Sequence, residues 1–223
     1  VQTTHGFANG LIPRQDVLSD KAAIALLRKA IRAVQRDCRD GVLWPDVSPA
    51  IKQLRMRHLS ILVEAEKLDC VLKFFNMVRA SRTTVRQTVL TGQFADLAAY
   101  VKVFHAVRRR YAVVKKESGT IDFGDMLLKA TNAITNGAAV PFTHVLVDEY
   151  QDCSPAQVHL LSEIAKLERR TIMVFGDSDQ AIYGFGGGRY TPLSSVLDGV
   201  TDLGFRRSRR LTKENAAFAS AIA

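Results

Sequence analysis

The sequence predicts an α/β fold carried by a parallel sheet and accompanied by a large all-helical region. Three observations support this reading. Residues 15–117 place apolar side chains at spacings of three and four, the period of one helix face. Two short apolar runs, His144 to Val147 and Thr171 to Phe175, are separated by one amphipathic segment, the strand–helix–strand pattern of a parallel pair. Each run ends in acid, as Asp148-Glu149 and as Gly176-Asp177, where parallel sheets gather their ligands.

Taken in order, the opening residues read as strand-like. Ser19 then stands where a helix N-cap belongs, and Ile24, Leu27, Ile31, Val34 and Cys38 form the apolar stripe behind it, with Gly41 as the stop. Residues 48–80 are also helical in pattern. Phe94, Leu97, Val101, Phe104, Tyr111 and Val114 mark a further helix ending near Gly119, whose other face carries Lys102, Arg108, Arg109 and Arg110. Ile121 to Ile134 predicts a helix stopped by Asn136-Gly137. The run ending at Asp148 reads as a strand buried on both faces. The helix after it has a complete start signal: Ser154 as cap, Pro155 in the first turn and Gln157 closing a capping box.

Charge is unevenly placed. The net charge is +9, but residues 14–116 hold 21 Lys and Arg against 9 Asp and Glu, whereas residues 117–204 hold 5 against 12. A basic region beside an acidic one points to polyanion contact in one and metal handling in the other; a merely well-solvated basic region is equally open. Cys38, Cys70 and Cys153 form no CxxC pair and read as reduced thiols, so a cytoplasmic location is expected. No apolar run is long enough to span a bilayer, and no signal peptide pattern is present. The first residue is Val1, which suggests a piece of something longer.

The chemistry lies in the two acidic clusters. Phosphoryl transfer needs a metal ion at the phosphate oxygens and a residue that orients or deprotonates water. Asp148 at the end of a strand can hold the metal, and Glu149 can face the water; a polar strand end that caps the next helix is the simpler alternative. In Gly176-Asp177-Ser178-Asp179-Gln180-Ala181-Ile182-Tyr183-Gly184-Phe185, Gln180 can bond a terminal phosphate. Tyr183 and Phe185 can serve as platforms for unpaired bases or, alternatively, pack in the core. His58, His105, His144 and His159 show no metal-ligand spacing. Trp44, between Gly41 and Pro45, lies in an expected turn, where packing is its simpler role.

These residues resemble a family. Asp148-Glu149-Tyr150-Gln151-Asp152 is similar to motif II, and Gly176 to Phe185 to motif III, of superfamily-one helicases of the UvrD/Rep/PcrA type. Thr3-Thr4-His5-Gly6-Phe7 looks like their T-x-H-x-F motif, Asp122 to Leu127 like their DFDDLL segment, and Phe205-Arg206-Arg207-Ser208 stands where they have NYRS. The resemblance implies the distal part of a RecA-like motor domain 1A, residues 1–14 and 118–204, with residues 15–117 as an inserted helical 1B subdomain and 205–223 as the start of a second motor domain, 2A. It implies ATP and Mg2+ as cofactors, single-stranded DNA and single-strand/duplex junctions as partners alongside further helicase domains, 3′ to 5′ movement, and no membrane. By position, Asp148 would place magnesium through water, Glu149 would activate water, and Gln180 would contact the γ-phosphate. Arg207 would stabilise charge in the transition state, and Thr3, His5, Tyr183 and Phe185 would contact DNA.

The pattern is also departed from. No Gly-Lys pair occurs, so the phosphate loop GxxxxGK[ST] is absent; the run Gly184 to Gly188 lacks its lysine and reads as a turn. Gly186 stands where the family has arginine, and Arg206, Arg209 and Arg210 crowd Arg207. The 223 residues alone are therefore expected not to hydrolyse ATP. Two alternatives stand beside the helicase reading: a non-catalytic DNA-binding remnant, and the motor part of a helicase–nuclease.

Overall fold

The computed structural model describes residues 3–90, 95–180, 191–204 and 212–222. The first helix corrects the strand-like reading of the opening residues. Thr3 adopts extended backbone and its hydroxyl accepts a hydrogen bond from Gly6 N at 3.0 Å, and that cap starts α1, Thr4–Leu11. One side-chain bond at the right position outweighs the β-propensity of the threonines.

The helical region follows. Ser19 caps α2, Asp20–Arg39, as its position predicts, and Gly41 takes a positive φ of 75° just beyond its end. Ser48 and Pro49 start α3, Pro49–Leu62, and α4 covers Ala65–Ala80. After α5, Val85–Leu90, a short 3-10 turn, Ala95–Tyr100, runs into α6, Val101–Glu117. The predicted helix from Phe94 is thus two pieces, with Phe94 itself outside the described residues. Residues Leu18 to Val114 supply one apolar core in which Leu27, Ile31, Leu59, Leu68, Val78 and Val107 are sealed from solvent. Each such side chain contributes about 1.5–3 kcal/mol by leaving water.

This region leaves and returns at one place. β1, Asp16–Val17, pairs in parallel with β2, Thr120–Ile121, and Leu18 N donates to Ile121 O at 2.9 Å. Next to that junction, α7, Phe123–Thr135, begins with a capping box in which Asp125 N donates to Asp122 Oδ1 at 2.8 Å and Asp122 N to Asp125 Oδ2 at 3.2 Å. The same two carboxylates pair with Arg79 of α4 and with the buried Lys115 of α6. Burial pulls the Lys115 ammonium down to about 8 against the attraction of Asp122, with Arg79 and Arg108 repelling it. α7 ends at Asn136 and Gly137, the predicted stop.

The sheet is β3, His144–Val147, and β4, Thr171–Val174, parallel and in register from His144 opposite Thr171 to Val147 opposite Val174. Between them runs α8, Pro155–Ala165, with the predicted cap: Ser154 N donates to Gln157 Oε1 at 2.8 Å and Gln157 N to Ser154 Oγ at 3.4 Å. The strands depart from the expected burial on both faces. Val145, Val147, Ile172 and Val174 are half-buried, while Leu146 is 65% and Met173 47% exposed. Apolar runs read as doubly covered only if both sheet faces are roofed, and among the described residues one face is not.

Residues 193–223 form a separate compact unit, with α9, Lys213–Ile222, as its helix. Among the described residues no helix is long and apolar enough to cross a membrane.

Candidate active site

The hydrogen-bonded ladder continues past the strand ends. Phe175 N donates to Val147 O and Tyr150 N donates to Phe175 O, each at 2.8 Å. This draws the segments Asp148-Glu149 and Gly176-Asp177 side by side at the carboxyl ends of β3 and β4.

Glu149 sits in the left-handed region at φ 51°, ψ 43°. A non-glycine residue held there costs about 1–3 kcal/mol, which surrounding contacts must offset. Here Glu149 N donates to Asp148 Oδ1 at 3.0 Å, and Gln151 Nε2 donates to Glu149 Oε2 at 2.6 Å. Tyr150 is buried between them, its hydroxyl donating to Thr191 O at 2.9 Å.

Gln151 is the centre of the arrangement. It is buried, and while its amide nitrogen holds Glu149, its Oε1 accepts from Asp177 N at 3.1 Å on the other strand end. That approach requires Gly176: a Cβ there would lie 2.6 Å from Gln151 Oε1 and 3.1 Å from Gln151 N. Asp177 in turn accepts from Gln180 Nε2 at 2.8 Å and from Asp179 N at 3.1 Å, and Gln180 N donates to Asp177 O at 3.1 Å. A continuous polar path therefore runs Glu149–Gln151–Asp177–Gln180.

The remaining sequence-predicted residues divide. Thr3 and His5 line, together with Asp148, a cavity of about 630 Å³ whose apolar wall includes Phe7, Phe142, Leu160 and Ile164. His5 packs edge-on against Phe123 with ring centroids 5.1 Å apart, and burial lowers its pKa. Tyr183, Phe185 and Arg207 lie outside the described residues, as do Gly186 and the glycine run.

Asp148 is exposed and has one carboxylate oxygen engaged by Glu149 N. Its other oxygen suits a magnesium ion, which takes one or two protein carboxylates and completes its shell with water and phosphate oxygens. Among the described residues no group of three acidic, histidine or cysteine side chains converges on one point, so a cage made wholly of protein ligands is not what these residues offer. Cys153, just beyond the acid run, is buried, and burial followed by the Asp152 charge pushes its thiol up to about 11; it is not a thiolate at neutral pH.

Sequence reasoning missed Gln151 and Asp177 as the bridge. Asp177 had a signal, because Gly-Asp-x-Asp is turn-forming and places a carboxylate over the amides that follow. Gln151 had none, since its role depends on how closely Gly176 approaches it.

The family model of the UvrD/REP helicase N-terminal domain matches residues 1–198. Among curated proteins, the chain is 36% identical over 99 residues to ATP-dependent DNA helicase UvrD2 of Mycobacterium bovis, covering 42% of the chain and 13% of the relative. It is 26% identical over 130 residues to DNA helicase II of Escherichia coli, covering 54% and 18%. It is 30% identical over 87 residues to one component of the ATP-dependent helicase/nuclease of Lactobacillus gasseri, covering 34% and 7%. The chain thus matches less than a fifth of the length of each of these relatives.

Proposed function

We propose that the chain, which belongs to the UvrD/REP helicase N-terminal domain family, is part of an ATP-driven DNA helicase motor that moves 3′ to 5′ on single-stranded DNA. The observation that carries this reading is the path Glu149–Gln151–Asp177–Gln180, which ties a carboxylate able to orient water to a glutamine able to bond a phosphate. In this reading residues 1–14 and 118–204 belong to motor domain 1A, residues 15–117 are the 1B subdomain, and residues 205–223 open domain 2A.

Asp148 would hold magnesium through water, and Glu149 would orient the attacking water and take its proton. Bound magnesium and ATP supply charge neutralisation at the phosphoryl oxygens and the group that is transferred. Gln180 contacts the terminal phosphate, and its bond to Asp177 passes any shift to Gln151 and so to Glu149. Thr3, His5, Tyr183 and Phe185 contact the DNA strand, and Arg207 meets the transition-state charge. The 223 residues alone, without a phosphate-loop lysine, do not turn over ATP. Similarity to a protein named for a helicase/nuclease favours, as a second reading, a motor that serves a nuclease.

The test is Glu149→Gln in a full-length protein containing this chain. DNA-stimulated ATP hydrolysis is expected to fall by about 10²–10⁴-fold, the usual share of a general base, with ATP and DNA binding retained. Unchanged hydrolysis would remove Glu149 from the role and the proposed reading with it.

A further inference from the structure

A second feature lies on the helical region, away from the strand ends. A groove of about 420 Å³ opens between α2, α6 and the loop after α2. Its floor is apolar, with Val34, Leu43 and Ala106, and its walls carry Trp44 and the cations Lys102, Arg109 and Arg110 against the single carboxylate of Asp37. His105 lines it too, its pKa lowered by desolvation first and by the charges of Arg108, Lys102 and Arg109 after it.

Two details make this more than a solvated basic face. Trp44 is a half-buried aromatic held at φ 60°, and Arg55 lies over its ring with the guanidinium carbon 4.4 Å from the centroid. Arg110 Nε and Arg55 Nη1 are buried and have no hydrogen-bond partner among the described residues. Arg110 lines the groove beside Lys102 and Arg109, and the planar donors of a guanidinium match the oxygens of a phosphate.

We propose that this groove holds one unpaired nucleotide of a DNA strand, its base against Trp44 and its phosphate on Lys102, Arg109 and Arg110. Aromatic rings bind unpaired bases without regard to sequence, and a cationic rim tracks the backbone; a duplex keeps its bases stacked inside and leaves Trp44 nothing to pair with. The inference rests on the DNA-binding reading above, but on different residues.

Trp44 is the only tryptophan in the chain, so its fluorescence reports this groove alone. The 223-residue chain is titrated with an unlabelled oligo-dT strand and, separately, with a blunt duplex, while the anisotropy of end-labelled copies of each gives the bound fraction independently. Expected is a saturable change in Trp44 emission with the single strand, little with the duplex, and a roughly tenfold weaker midpoint in the Lys102→Gln/Arg109→Gln chain, about 1.4 kcal/mol. Both substituted residues are exposed, so folding is not at stake. Single-strand binding by anisotropy with unchanged Trp44 emission overturns the groove and leaves the helicase reading standing. An equal response to duplex overturns the unpaired nucleotide, and no anisotropy change with either DNA overturns both readings.

Discussion

In the helical region Leu27, Ile31, Leu59 and Val78 are sealed from solvent, whereas in the sheet Leu146 is 65% and Met173 47% exposed. The two regions hold their shape by different means. The helices rest on apolar area removed from water, a force without direction that tolerates small displacements. The strand ends are held by directional bonds through Gln151, Tyr150 and Asp177, which fix positions while contributing only about 0.5–1.5 kcal/mol each. Stability and the proposed chemistry are thereby separated: the core can carry the fold while the candidate site keeps a left-handed glutamate that packing alone would not select.

The largest effect that tests this contrast is in the core. Leu27→Ala is expected to cost about 2–5 kcal/mol, and Leu146→Ala no more than about 0.5 kcal/mol, in urea unfolding of the chain. Equal losses would show that the sheet rests on apolar burial as the helices do. A smaller effect sharpens it: Gly176→Ala forces a methyl against Gln151 and is expected to cost about 1–3 kcal/mol, with faster amide exchange at Tyr150 and Asp177 while α2 and α6 keep their protection. Exchange that rises equally in the helices would show the two regions to be one packing problem.

The smallest effect is in pH. His5, His58 and His159 have pKa values lowered first by burial. A histidine with a depressed folded pKa contributes stability that is complete above its unfolded value near 6.5 and is lost as pH falls through the folded value. The urea midpoint should therefore decline from pH 7.5 to 5. His58 is buried and stacked on Tyr100 at 4.1 Å, whereas His105 on α6 is exposed, so the slope should flatten more with His58→Gln than with His105→Gln. A slope untouched by His58→Gln would place the acid sensitivity elsewhere.

Much of the architecture was legible because its signals are local. Ser19, Ser154-Pro155-Gln157 and Asn136-Gly137 act within a few residues of themselves, and the structure uses each as read. Asp148 and Gly176-Asp177 were legible as strand ends for the same reason. What depends on distant partners was not. Lys115 stands among the basic residues of α6, yet it is buried against carboxylates from α7. Leu146 and Met173 look like core from their neighbours and are exposed, because burial depends on what covers a sheet and not on the strand. Thr3 shows the reverse case, a cap at the start of α1 hidden behind a strand-like composition.

Asp122 and Asp125 hold the first turn of α7 and the cations of α4 and α6 with the same oxygens. Pulling the helical bundle away would expose two acids and a buried lysine to water and leave the carboxylates of the α7 cap without their cations. The junction where the helical excursion rejoins the α/β portion is therefore no tear line: rupture there leaves charge without its partner on both sides at once.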